Sequence, residues 1–195
     1  MTKLGILGGS FDPVHTGHLI VAQDVLIDLS LDEVILMPAC IPPHKIDRQL
    51  APSEHRLEML DLATESNPRL RSSDIELARD GVSYTVDTVR ELFSTSPAGT
   101  EIYFILGSDN LPDLHEWKQP WELVKLCKLV TMHRPGYEEV EIPPKLVGHH
   151  KSVTVTSVNI SSRDIRERIR VGKPISYLVP EKVEKYIHEQ GLYRK

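Results

Sequence analysis

Short apolar stretches that read as strands take turns with longer amphipathic stretches that read as helices. This alternation limits the fold more than any other feature of the chain. Lys3–Gly8 reads as a buried strand stopped by Gly8 and Gly9, and Gly17–Leu29 as a helix with Leu19, Ala22, Val25, Leu26 and Leu29 on one face. Glu33–Met37 holds Val-Ile-Leu-Met, a second buried strand, and Pro38–Pro52 is a loop with four prolines. Ser53 suits the cap of a helix reaching Ser66. Leu70–Leu77 is a weaker strand, and Tyr84–Phe93 a helix that aligns Val86, Val89 and Phe93. Glu101–Leu106, with Ile-Tyr-Phe-Ile-Leu at its centre, is the strongest strand and ends at Gly107. Short helices are expected at Leu111–Trp117 and Pro120–Leu126, and strands at Lys128–Met132 and Val153–Val158. Helices Ser161–Val171 and Glu181–Gln190 follow, the second stopped by Gly191. Pro135–Lys151, polar and with three prolines, reads as a surface loop.

Strand and helix in alternation imply right-handed crossovers and a parallel sheet covered on both faces. The expected class is therefore α/β, a doubly wound parallel sheet with a C-terminal helical extension. The 195 residues fit one domain, 1–195, and the sequence shows no repeat or low-complexity tract.

Apolar residues make up 40% and charged residues 26%, a globular balance. The net charge of -5 argues against a nucleic-acid partner, although a small polyanionic substrate needs only a local basic pocket. Cys40 and Cys127 are too few and too distant for a disulfide framework and read as reduced. The first apolar run, Leu4–Leu7, is too short for a signal peptide, and no run approaches a membrane span. A cytoplasmic location without membrane contact is the expectation. The oligomeric state is left open, a homo-oligomer included.

Gly8–His18, GGSFDPVHTGH, carries the chemistry. It joins the first strand to the first helix, at the strand end where open parallel sheets bind ligands. Gly8 and Gly9 let a phosphate or ribose approach the backbone, and the helix start favours an anion. His15 and His18, three residues apart, can face one way there. They suit a phosphate under transfer. A structural pair and a zinc pair are the other readings, but zinc wants three or four ligands and the other histidines show no matching spacing. Asn159–Arg166 holds a second helix start, with Ser161 at the cap and Asp164 three residues on. Between Ser161 and Lys173 there is a local excess of three positive charges.

These segments resemble the nucleotidylyltransferase superfamily, marked by a (T/H)xGH motif on a Rossmann-like fold, and more closely the bacterial nicotinate-nucleotide adenylyltransferases. The resemblance spans nearly the whole chain. It implies that Gly8, Gly9, Ser10, Phe11, His15 and His18 hold the ATP phosphates. Lys45 of the Pro42-Pro43-His44-Lys45 segment would meet phosphate, with His44 beside the acceptor. Tyr84 and Thr85 would meet the nicotinate carboxylate through backbone, and Trp117 would stack on the pyridine ring. Gly107 and Asp109 would lie at the ribose or adenosine, Arg134 near the nucleotide, and Ile160, Ser161 and Arg166 on the ATP phosphates. The family pattern is SxTxxR or SxSxxR; this chain has Arg163 where the second hydroxyl stands.

The implied activity is transfer of AMP from ATP, with its Mg²⁺, to nicotinate mononucleotide. The products are nicotinate adenine dinucleotide and pyrophosphate. Phosphopantetheine adenylyltransferase, a cytidylyltransferase and a non-catalytic nucleotide-binding regulator are the alternatives.

Overall fold

The computed structural model of the chain describes residues 1–41, 50–79, 81–133 and 143–194, without the side chains of Asp109 and Lys145. Strands β1 (Lys3–Gly9), β2 (Glu33–Pro38), β3 (Leu70–Ser72), β4 (Glu101–Gly107), β5 (Lys128–His133) and β6 (His150–Thr154) form one parallel sheet. Its order is β3-β2-β1-β4-β5-β6. The chain winds outward from β1 to β3, then returns to β4 on the other side of β1. That reversal opens a crevice beyond the carboxyl ends of β1 and β4, where doubly wound sheets bind nucleotides.

Strand periodicity sends alternate side chains to opposite faces. Leu4, Ile6, Ile102, Phe104 and Leu106 join one apolar cluster, while Leu7, Tyr103 and Ile105 join another. The first cluster is covered by α3 (Thr85–Thr95) and α4 (Pro120–Leu126), through Val86, Val89, Leu92, Leu123 and Val124. The second is covered by α1 (Thr16–Asp28), α2 (Ser53–Thr64), α5 (Ser162–Arg170) and α6 (Glu181–Glu189). Both faces are thus shielded, as an all-parallel sheet requires. Among the described residues no helix is long and apolar enough to cross a membrane.

The helices begin and end within two residues of the spans expected from sequence, and three local readings change. Phe93 does not align with Val86 and Val89; it is 53% exposed, and Leu92 takes the inward position. Ser53 is the first helical residue of α2, and Pro52 takes the cap position. Leu111–Trp117 is a 3₁₀ turn, Pro112–Glu116, preceded by another at Ser108–Asn110.

The edge strands moved as well. β3 ends at Ser72 because the Asp74 carbonyl accepts from Leu77 and Ala78 N–H at 2.8 and 2.9 Å, turning the chain off the sheet. β6 begins at His150, three residues before the Val-rich stretch, since its span is set by the ladder that β5 offers, from Leu129↔His150 to His133↔Thr154. Val155 N–H reaches the His133 carbonyl at 2.9 Å, and Thr156 N–H then turns to Asp24 Oδ2 at 2.7 Å.

Candidate active site

The turn after β1 is held in an unusual backbone state. Phe11 has φ 46°, a left-handed value rare outside glycine, yet its side chain is only 2% exposed and its ring lies edge-on to His18 at 4.9 Å. Burial of that ring offsets the backbone cost, of about 1 kcal/mol or more. A Cβ on Gly9 would meet the ring at 3.1 Å, so the packing itself asks for glycine there. At Gly8 it does not: a Cβ would make an ordinary 3.7 Å contact with Phe104. Gly8 itself lines a cavity at the end of β1.

His15 takes the cap position of α1 in extended conformation. Its N–H donates to His18 Nδ1 at 3.2 Å. With Nδ1 accepting, a neutral His18 carries its proton on Nε2. The two rings stack at 3.6 Å with 20° between their planes. Gly17 makes this possible, because a Cβ there would meet the His15 ring at 3.1 Å. The first turn of α1 holds no acidic residue to oppose an anion at its positive end. The helix start is tied down by Thr16 N–H, which donates to the Leu178 carbonyl at 2.9 Å.

The opposite wall comes from α5. Ser161 caps it, accepting from Asp164 N–H at 3.1 Å as the spacing implied. Ser162 Oγ donates to the Pro13 carbonyl at 2.8 Å, docking α5 on the glycine turn. Arg166 Nη1 donates to the Asp12 carbonyl at 2.6 Å and lies 3.5 Å from Asp12 Oδ2.

A cavity of about 900 Å³ is lined by Gly8, Gly9, Ser10, Phe11, His15, His18, Gly107, Ile160, Ser161 and Arg166, together with Arg163. The structure therefore gathers most of the residues expected at the ATP. It does not bring Tyr84, Thr85 or Trp117 into that cavity. Trp117 stands edge-on to Phe104 at 6.1 Å, in the cluster covered by α3 and α4. Thr85 opens α3, and the Tyr84 ring lies under the Lys118 ammonium at 4.4 Å. This segment is fastened to the end of β2 by Ser83 N–H on the Ile41 carbonyl, 3.0 Å, and Cys40 N–H on Ser83 Oγ, 2.9 Å. His44, Lys45 and Arg134 lie outside the described residues, as does the side chain of Asp109.

The Cytidylyltransferase-like family model matches residues 6–168. A nicotinate-nucleotide adenylyltransferase of Bacillus subtilis (strain 168) is 44% identical over 193 residues, covering 99% of each chain. The chain belongs to the nicotinate-nucleotide adenylyltransferase family. A protein of Thermoanaerobacter sp. (strain X514), named "Probable nicotinate-nucleotide adenylyltransferase", is 44% identical over 99% of this chain and 95% of its own. The solved nicotinic acid mononucleotide adenylyltransferase of Plasmodium falciparum, complexed with NaAD, shares the fold. Its TM-score is 0.79 at 20% identity, over 99% of this chain and 98% of that one.

Sequence reasoning missed two residues that organise this cavity. Arg56 is 2% exposed. Its guanidinium donates to the carbonyls of Ser10 (3.0 Å), Ala39 (2.8 Å), Ala51 (3.1 Å) and Cys40 (3.4 Å), joining the ends of β1 and β2 to the start of α2. Burial pulls its pKa below the usual arginine range, and the Asp12 charge opposes that shift. The signal was present: Arg56, Met59, Leu60 and Ala63 share one helical face, so a charge sits in an apolar stripe. Asp12, also 2% exposed, accepts on Oδ1 from Tyr193 Oη at 2.8 Å and Ala51 N–H at 3.1 Å. A carboxylate inside a glycine turn was its only mark in the sequence.

Proposed function

We propose that this enzyme transfers the AMP of MgATP to nicotinate mononucleotide, acting as one domain over 1–195. A 5′-phosphate oxygen of the mononucleotide attacks the α-phosphorus of ATP. The bond to the bridging oxygen breaks, and pyrophosphate leaves. The observation that carries this reading is the stacked pair His15 and His18 at the start of α1, on a cavity that Arg166 closes from α5. The family membership and the 44% identity over the whole chain support the acceptor.

Transfer of this kind asks for positioning and charge stabilisation rather than a protein nucleophile. Nε2–H of His18 donates to phosphate oxygen as charge develops. His15 and the first-turn amides of α1 support the same charge, and Gly8, Gly9, Ser10 and Phe11 shape the turn that receives it. Arg166 holds the β/γ end, with Ile160 and Ser161 at the same helix start. Lys45 and His44 serve the attacking phosphate, and Gly107, Asp109 and Arg134 the nucleoside. Tyr84 and Thr85 meet the nicotinate carboxylate, and Trp117 stacks on its ring.

Mg²⁺ enters with ATP as part of the substrate, as phosphate-bound magnesium commonly does. Among the described residues no group of three or more His, Cys, Asp or Glu could hold a metal, and Asp12 is engaged by Tyr193, Ala51 and Arg166. The enzyme works in the cytoplasm, alone or as a homo-oligomer, without membrane or nucleic acid.

The test is pyrophosphate release from MgATP with nicotinate mononucleotide as acceptor, run beside pantetheine phosphate, CTP with its acceptors, and no acceptor. Release that requires nicotinate mononucleotide is expected. Release with pantetheine phosphate or CTP substrates instead would replace this reading.

A further inference from the structure

The Asp12 carboxylate is almost fully buried, so its oxygens must be satisfied within the protein. Tyr193 Oη and Ala51 N–H donate to Oδ1; Arg166 Nη1 faces Oδ2 and also donates to the Asp12 carbonyl. One residue thus holds Arg166 at two points, and Tyr193 holds that residue. Tyr193 lies 181 positions away in sequence, and it packs against the apolar cluster beneath α1, α2, α5 and α6. Burial, with the Asp12 charge beside it, pushes the phenol far above its ordinary range, so Oη keeps its proton and donates.

Arg166 is 34% exposed and long. An unpinned arginine loses rotamer freedom when it grips an anion, and a pinned one loses less. We infer that Tyr193 is a positioning residue for nucleotide binding, holding the Arg166 guanidinium at the phosphate cavity through Asp12. The inference rests on Arg166 being a phosphate ligand, as proposed above.

Tyr193→Phe keeps the ring and removes the hydroxyl. Steady-state constants for both substrates, and MgATP binding by calorimetry, are measured for wild type, Tyr193→Phe, Arg166→Ala and the double variant. The single variant should weaken MgATP binding and raise its KM about 3- to 10-fold, from the loss of one hydrogen bond to a charged group acting at one remove. The KM for nicotinate mononucleotide should stay within about twofold. In the Arg166→Ala background, removal of the hydroxyl should change MgATP affinity by less than about twofold, since the group it positions is gone.

An equal loss in both backgrounds, an equal rise in both KM values, or a Tyr193→Phe protein that does not fold would overturn the inference and mark Tyr193 as general support. A wild type that binds MgATP but does not adenylylate nicotinate mononucleotide would sink the proposed acceptor, while the calorimetric cycle still decides the role of Tyr193. A wild type that does not bind MgATP overturns both.

Discussion

Replacing Arg56 by methionine should be among the most damaging single changes outside the chemistry. Methionine keeps an unbranched stem of similar reach and removes every donor. Three carbonyls, on Ser10, Ala39 and Ala51, lose bonds of 2.8 to 3.1 Å. The Cys40 bond, at 3.4 Å, adds little. An acceptor left unmet costs about 1 kcal/mol, and more where the bond is fully buried, as at Ala39, so the loss is of order 3 to 5 kcal/mol. Relief from burying a cation offsets part of it, because burial already opposes the charged form of Arg56. Asp12 then loses a nearby positive charge, which works the other way. The expected net destabilisation is about 3 kcal/mol, or about 6 to 12 °C in unfolding midpoint for a chain of this length. Urea unfolding should show a lower midpoint at unchanged slope. A loss below about 1 kcal/mol would refute the assignment of Arg56 as the link between the two strand ends.

His18→Ala should lower kcat by roughly 10²- to 10³-fold while the fold persists, as removal of a preorganised donor does; near-normal turnover would remove His18 from the mechanism. Arg163→Thr, which restores the family pattern, should change MgATP affinity by less than about tenfold, because one contact among several contributes at most about 1.5 kcal/mol; a collapse of binding in calorimetry would make Arg163 a principal ligand. Nicotinate mononucleotide should be preferred over the nicotinamide form by roughly 10- to 150-fold in kcat/KM, the value of hydrogen bonds to a charged acceptor; a ratio near one would mean that the segment at Tyr84 and Thr85 does not read the carboxylate. Burial raises the Glu76 carboxyl pKa, against hydrogen bonds from Thr88 and Ser83. The folded state thus favours the protonated form, and its stabilising contribution is present below the ordinary glutamate pKa and lost as pH rises through the raised value. The stability of Glu76→Gln relative to wild type should therefore grow from about pH 4 to pH 7 in urea titrations, and a flat difference would contradict the shift.

What could be read from sequence was what lies close together in it. The β1–glycine turn–α1 unit spans residues 3–28, and the cap Ser161 sits three positions from the N–H it receives. Continuous apolar runs marked the central strands because both faces of the sheet are buried, and a period of three to four residues marked the helices. The edges escaped, since the span of β6 is dictated by the β5 ladder rather than by its own side chains. Arg56 escaped because its acceptors include carbonyls 16, 17 and 46 positions away. The separation of Tyr84, Thr85 and Trp117 from the main cavity follows from which sheet face α3 covers, and no local pattern encodes that.

The bond between Asp12 and Tyr193 also has a meaning in time. At roughly 5 to 20 residues per second, a ribosome needs roughly 10 to 35 s to add the 181 positions between them. For the first 154 of those positions the glycine turn exists on a nascent chain without its arginine wall, and for all 181 without its tyrosine clasp. Once Arg166 has been made, a nascent chain still without the clasp would grip nucleotide more weakly by about the 3- to 10-fold expected of Tyr193→Phe. Closing so long a loop is slow relative to forming local helices.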